Sequence, residues 1–437
     1  MQAGFDRLCM NPPPGTRMMG FGKRDAGNGS ESIHDDIYIR VLYMKDGLEE
    51  ALIISFDMCF IGRADGDRIK GALGRHLDVA PRQILMNATH SHVGPASGRW
   101  AYGDYLPPEQ LYLRDLEAKV IQAARSARAK AVPVNLQAGM GRSQVPMNRR
   151  RRMPDGRTEN RPNPGGAVCD ALPVVLMKDE SDIPVACVFS ISAHPSIMGG
   201  TAISAEYPGI ACSGVDAHLT KDCCLFLQGC GGDAKTSVAG EGRETWWSND
   251  WDVVTQVGDL LAEEVTEVLK HKMQPVIPAL KTVLVETDWP LEPANRAEYE
   301  HWIKNLIPDG SPEHQGIYEL WAERQLRRLD AGHLLPTQAS IQIQGVQLGT
   351  TVRLIAIEGE PVAGHGLHIV SYYPAGVTFP IGYANGEGLY LPISPQIDEG
   401  GYEVDSYGEY GYPARLKPGM EGIIQNTLDL FTAKGIR

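Results

Sequence analysis

The chain has no basic excess: 41 Lys and Arg stand against 54 Asp and Glu, for a formal net charge of −13. A nucleic-acid-binding protein shows the opposite balance, so that class is set aside. No run of about 18 apolar residues occurs, so no membrane span is expected. The N-terminus lacks a charged stretch followed by an apolar one, so no secretory signal is expected either. No pair of cysteines has the Cys-x2-Cys spacing, which argues against a cysteine zinc cluster. The eight cysteines follow no framework spacing, and most sit in apolar surroundings. They read as reduced, buried thiols in a cytoplasmic protein. Internal repeats and low-complexity segments are absent, so a solenoid or fibrous architecture is not expected.

What is present is an ordinary globular composition over 437 residues, 43% hydrophobic and 22% charged. That length buries a large core without difficulty. Strand-like stretches recur at 37–43, 51–56, 84–87, 185–192, 224–227 and 352–357. Helical periodicity appears at 65–76, 110–131, 253–271, 299–307, 315–329 and 426–434. In 253–271 the apolar stripe is Val257, Leu260, Leu261, Val265 and Leu269. The charged stretches 299–307 and 315–329 read as a surface pair. Alternation of the two periodicities along the whole chain indicates the α/β class. We expect mixed β-sheets with helices outside, in one domain over 1–437. Two segments, 146–166 and 379–418, read as long irregular loops, a kind of segment that often carries function.

Four short pieces carry the candidate chemistry. The first is Thr89-His90-Ser91-His92-Val93-Gly94-Pro95, where an apolar strand ends in two histidines two positions apart. Such a pair projects to one side and suits a metal or acid/base site. The second is Ala193-His194-Pro195, again a histidine at a strand end. The third is Glu358-Gly359-Glu360, two carboxylates closing a strand. The fourth is Gly382-Tyr383-Ala384-Asn385, followed by Tyr390.

In order and approximate spacing, these pieces resemble the motifs of the neutral/alkaline ceramidase family, across about residues 1–415. The histidine doublet resembles that family's Thr-His-Thr-His-Ser-Gly-Pro. Ala193-His194-Pro195 is similar to its Ala-His-Pro, and Gly359-Glu360 to its Pro-Gly-Glu, with Glu358 standing where proline is usual. Tyr402 falls at the spacing of a second active-site tyrosine, and Asn148-Arg149 matches an Asn-Arg pair. The resemblance implies one Zn²⁺ bound by His90, His194, Glu360 and Tyr390. Imidazole nitrogen and carboxylate oxygen are common zinc ligands. A phenol is less usual, so Tyr390 can alternatively donate to a developing oxyanion. His92 would act as proton donor to the leaving group or orient its neighbours. Arg149 would hold a carboxylate or polarised carbonyl through its planar fork. Arg150, Arg151 and Arg152 have no match and read as surface residues or gates for an anionic substrate.

The chain departs from that family in one catalytic position. Gly229-Cys230-Gly231-Gly232-Asp233-Ala234-Lys235 places Lys235 where ceramidases carry their catalytic serine. The same stretch reads G-x4-A-K-T, close to a phosphate-binding loop. The last glycine is replaced, and residues 237–242 are not expected to begin a helix, so that reading is rejected in favour of a tight glycine turn near the metal. No C-terminal immunoglobulin-like domain is expected. The favoured expectation is a zinc-dependent hydrolase of a small polar substrate at an amide bond, with catalytic residues His92, Tyr402, Arg149 and Lys235. The substrate would be anionic or sugar-like, with no nucleic acid and no membrane as partner; a homo-oligomer is compatible with it. The alternatives are a zinc-dependent lyase or glycoside-cleaving enzyme on a carbohydrate, and a non-catalytic metal- or ligand-binding relative.

Overall fold

The structure, a computed structural model, describes residues 1–21, 29–98, 107–293, 295–304, 312–386 and 388–437. A nine-stranded mixed sheet dominates. Its order runs Cys224–Gln228, Pro184–Ile191, Ala171–Asp179, Val132–Arg142, Gln2–Cys9, Tyr38–Asp46, Glu49–Phe56 and Ile84–Ala88, with Gln274–Val276 also paired to Val132–Arg142. The two end strands of that order are parallel to their neighbours, and the strands between are antiparallel. The sheet curls until its ends meet. Ser55 Oγ donates to Phe226 O at 2.6 Å, and Gln228 N donates to Asn87 Oδ1 at 2.8 Å. The loops after Ile84–Ala88 and Cys224–Gln228 therefore emerge side by side.

A second sheet, of four strands, runs Pro278–Pro290, Gln338–Gly349, Val352–Ile357 and Val377–Ile381. One apolar core, around Phe56, Phe189 and Phe226, is shared with one face of the second sheet through Val346, Leu354, Ala356 and Phe379; another, around Trp289, Ile343, Ile355 and Phe431, covers that sheet's other face. The helix Trp251–His271 shows why the first core closes. Asp250 accepts from Asp252 N at its start, and Val253, Val257, Leu261 and Val265 form a buried stripe. That stripe packs on the helix Glu206–Leu219.

The mixed α/β architecture matches the sequence reading. The strand Val352–Ile357 falls where expected, and the others shift by one to three residues. Several readings need correction. Segment 146–166 is not an irregular loop, since Pro146–Arg152 and Thr158–Asn163 form an antiparallel hairpin. Its four arginines conceal the strand because two of them find buried or partly buried carboxylates. Segment 379–418 contains the strand Tyr390–Leu391 and the short helices Ser394–Glu399 and Tyr402–Asp405. The helices Arg296–Lys304 and Pro312–Asp330 are not merely a surface pair: Tyr299, Ile317, Tyr318 and Trp321 are buried, and the Tyr299 and Trp321 rings pack edge to face at 5.2 Å. The end of the expected helix at 305–307 lies outside the described residues. Seven of the eight cysteines are buried free thiols, while Cys9 is exposed. Among the described residues, no helix is long and apolar enough to cross a membrane.

Candidate metal centre

Two residues beyond the edge strand Ile84–Ala88 the backbone turns left-handed at His90, φ 67°. This turn aims the ring inward, with Nδ1 at 2.9 Å from the carbonyl of Cys59. His194 follows the strand Pro184–Ile191 in the same way. Its Nδ1 lies 2.8 Å from Gly231 O and 3.1 Å from Ala234 O. The glycine turn supplies those carbonyls. A Cβ on Gly231 would stand 2.7 Å from the backbone of Ser192, so only glycine allows the approach.

Glu360 arrives from the second sheet. After Val352–Ile357 the chain turns at Gly359, φ 84°, where a Cβ would meet Leu389 O at 2.5 Å. The turn separates two neighbouring carboxylates. Glu358 points to Arg63 and accepts from Gln342 N at 2.8 Å, a structural tie. Glu360 points the other way. The two-residue strand Glu360–Pro361 pairs in parallel with Tyr390–Leu391, which sets Tyr390 beside it.

The resulting cluster is closed on three sides. Glu360 Oε2 lies 3.3 Å from His90 Nε2 and 3.2 Å from His194 Nε2, and all three residues are buried. Tyr410 donates to Glu360 Oε1 at 2.7 Å, but Oε2 has no hydrogen-bond partner. Both histidines place Nδ1 against backbone carbonyls, so their protons belong there and their Nε2 atoms present lone pairs. Burial, then the Arg149 guanidinium, holds His194 down at about 3, which keeps it neutral. Burial pushes the Glu360 carboxyl up, and charge and hydrogen bonding on His90 and His194 hold it well below the usual range, a pull that a cation at the same point would supply with the imidazoles neutral. With both ring protons on Nδ1, two nitrogen lone pairs and a carboxylate oxygen converge with no donor between them. Such an arrangement is repulsive unless a cation sits at its centre, and the donor set suits Zn²⁺. His90, His194 and Glu360 also form a group whose ligand atoms all lie within 4.8 Å.

The remaining candidates surround this cluster. Tyr390 Oη lies 3.1 Å from His194 Nε2 and accepts from the Arg149 guanidinium at 3.0 Å. Arg149 is buried, and its Nε donates to Glu403 at 2.7 Å. The Tyr402 ring sits 5.4 Å from that of Tyr390, and its hydroxyl donates to Glu409 at 3.0 Å. His92 Nε2 stands 3.1 Å from His90 Nε2, and burial, then His90 and His194, holds its pKa well below that of a free imidazole. A cavity of about 840 Å³ opens onto the cluster, lined in part by His92, Arg149, Ser196, Lys235, Tyr390 and Tyr402.

Three departures from the sequence reading stand out. Arg150 is not a surface residue, for it is buried and donates to Glu403 and Glu399. Arg151 and Arg152 do lie toward solvent, on Glu244 and the Glu399 carbonyl. Residues 237–242 do begin a helix, the single turn Ser237–Gly240, preceded by the strand Ala234–Thr236 that pairs with Pro146–Arg152. Sequence reasoning also passed over Glu403 and Tyr410, and quoted Tyr383 only within a motif, with no role; its ring lies 4.3 Å from that of His90, with its hydroxyl buried and unbonded. Their signal was the density of tyrosine and acid in 383–410, which names no individual residue.

No family model and no curated protein sequence matches the chain. Among solved structures it is similar to a ceramidase complexed with C2, at 15% identity and TM-score 0.75, over 97% of this chain and 73% of that one. It is similar also to the neutral ceramidase from Pseudomonas aeruginosa, at 15% identity and TM-score 0.74, over 98% and 73% of the two chains. The chain therefore has the fold of the neutral ceramidases.

Proposed function

We propose that the protein is a zinc-dependent hydrolase that cleaves an amide bond in a small polar substrate. The observation that carries this reading is the buried convergence of Glu360 Oε2 with the Nε2 atoms of His90 and His194, in the fold of enzymes named as ceramidases. His90, His194, Glu360 and Tyr390 would hold the ion. A zinc ion there supplies Lewis acidity toward an amide carbonyl and lowers the pKa of a water toward ~7.

The chain's own residues supply the rest. His92, kept neutral by burial, accepts a proton at Nε2 as water adds to the carbonyl carbon, and returns it to the nitrogen as the C–N bond breaks. An acid and an amine leave. Tyr402 lines the cavity beside Tyr390, and its hydroxyl, turned from Glu409, would donate to the developing negative charge on oxygen. Arg149, anchored by Glu403, fixes the Tyr390 oxygen and faces the substrate. The lyase, glycoside-cleaving and non-catalytic readings gain no support from the similar structures.

Metal analysis of the purified protein, coupled to amine release from short acyl amides, tests the proposal. One zinc per chain is expected, lost together with turnover in His194→Ala. A protein that binds no divalent metal, or a His194→Ala variant that keeps full metal content, overturns it.

A further inference from the structure

By the motif resemblance Lys235 stands where neutral ceramidases carry a serine, and its surroundings indicate what it could do there instead. The strand Ala234–Thr236 pairs antiparallel with Pro146–Arg152, with Lys235 opposite Met147. Residues opposite each other project to one face, as do residues two apart, so Lys235 and Arg149 share a face. Both line the 840 Å³ cavity. Three other cations line it, and each has a carboxylate: Arg149 pairs with Glu403, Arg157 with Asp155, and Arg161 with Glu159. The Lys235 ammonium makes no ion pair or hydrogen bond among the described residues; it lies 5.4 Å over the Trp246 ring.

Glu206, the acid whose charge acts on Lys235, makes no ion pair with it among the described residues. Glu206 Oε1 accepts from Ile197 N and Met198 N, and burial pushes that carboxyl up to about 8, so it keeps its proton at neutral pH. Burial, then Arg149, lowers Lys235 to about 8, so most of it stays cationic at pH 7. Ser196 adds a donor to the cavity lining: its hydroxyl is buried and has no hydrogen-bond partner. An uncharged ligand would leave this ammonium enclosed and unpaired, at a cost that an anion removes.

We propose that Lys235, with the Ser196 hydroxyl, binds an anionic group of the substrate near the scissile bond, so that the substrate is an acidic acyl amide. The inference rests on the amide-hydrolase reading and specifies its substrate class. It makes Lys235 a binding residue for the substrate's charge, in place of a nucleophile.

Calorimetric titration with N-hexanoylglycine and with its uncharged N-methylamide tests it directly. The acid should bind about tenfold or more tightly than the amide to the wild-type protein. Lys235→Met, which keeps the length of the side chain over Trp246, should erase that preference. Lys235→Gln serves if the Met variant fails to fold. Equal affinities in the wild type, no binding of the acid, or an intact preference in a folded Lys235 variant overturns the inference. Because binding needs no turnover, an intact preference without amide cleavage overturns the hydrolase reading alone. Cleavage of neutral and acidic amides with equal efficiency overturns the substrate class alone.

Discussion

Single residues in this protein are distinguished by where burial and charge oppose each other. Glu206 is held in the left-handed region, φ 53°, with its carboxyl buried and Oε2 unbonded. Burial pushes its folded pKa from the ordinary 4.5 up to about 8, so the native state binds the extra proton between those limits. The stability it permits is complete below 4.5 and is lost as pH rises through 8. Glu206→Gln keeps the acceptor for Ile197 and Met198 without that dependence. Its melting temperature relative to wild type should therefore be higher at pH 8.5 than at pH 5.5; an equal difference at both values rejects the linkage. Tyr410 offers a second test, since its hydroxyl donates to Glu360 and its ring packs edge to face on Tyr390 at 5.8 Å. Tyr410→Phe should weaken zinc binding by about 10–100-fold, read by competition with a chromophoric chelator. Neither residue could be singled out in the sequence. Histidines at strand ends advertise themselves, but one tyrosine among several and one buried glutamate among many acids do not.

At the scale of elements, the site is assembled by turns and edges. The two-residue strands Glu360–Pro361 and Tyr390–Leu391 are too short to register as periodicity, yet their pairing decides which tyrosine stands beside Glu360. Gly359 permits it through a positive φ and a close approach to Leu389. Gly359→Ala should separate the pair and lower metal content while most of the circular dichroism signal remains; unchanged metal stoichiometry would contradict this. Asn87 plays the matching part in the large sheet, accepting from Gln228 N and donating to Gly382 O at 2.8 Å. Asn87→Ala leaves those buried groups unpaired and should cost about 1–3 kcal/mol for each, measured by denaturant unfolding. Long strands with alternating or uniformly apolar residues, such as Glu49–Phe56, were readable. The hairpin 146–163 was not, because charge pairing with Glu403 and Glu399 satisfies arginines that composition assigns to solvent.

Across the whole molecule, the candidate ligands come from both sheets. His90 and His194 follow strands of the nine-stranded sheet, while Glu360 and Tyr390 follow those of the other. A bound ion would therefore add a tie between two sheets that already share an apolar core. Ligands that bind only the native state stabilise it by mass action. Removing metal with a chelator should lower the melting temperature by several degrees, and zinc should restore it. A chelator-insensitive transition in a protein that does bind zinc would show that the cores hold together without the ion.

The sequence by itself determined the α/β class, the main apolar strands and helices, and the candidates His90, His92, Arg149, His194, Lys235, Glu360, Tyr390 and Tyr402. The elements and the histidines and carboxylates at strand ends follow from local chemistry, whereas the parts given to Arg149, Lys235, Tyr390 and Tyr402 follow from the resemblance of their motifs to those of the neutral ceramidases. Only the tertiary structure decided that three lone pairs converge within 4.8 Å, that Glu358 faces away while Glu360 faces in, and that Lys235 is the unpaired cation among those described at the cavity. Those outcomes depend on curling of one sheet and docking of another. They join residues up to 300 positions apart (His90 and Tyr390), a separation across which sequence pattern carries no geometric information.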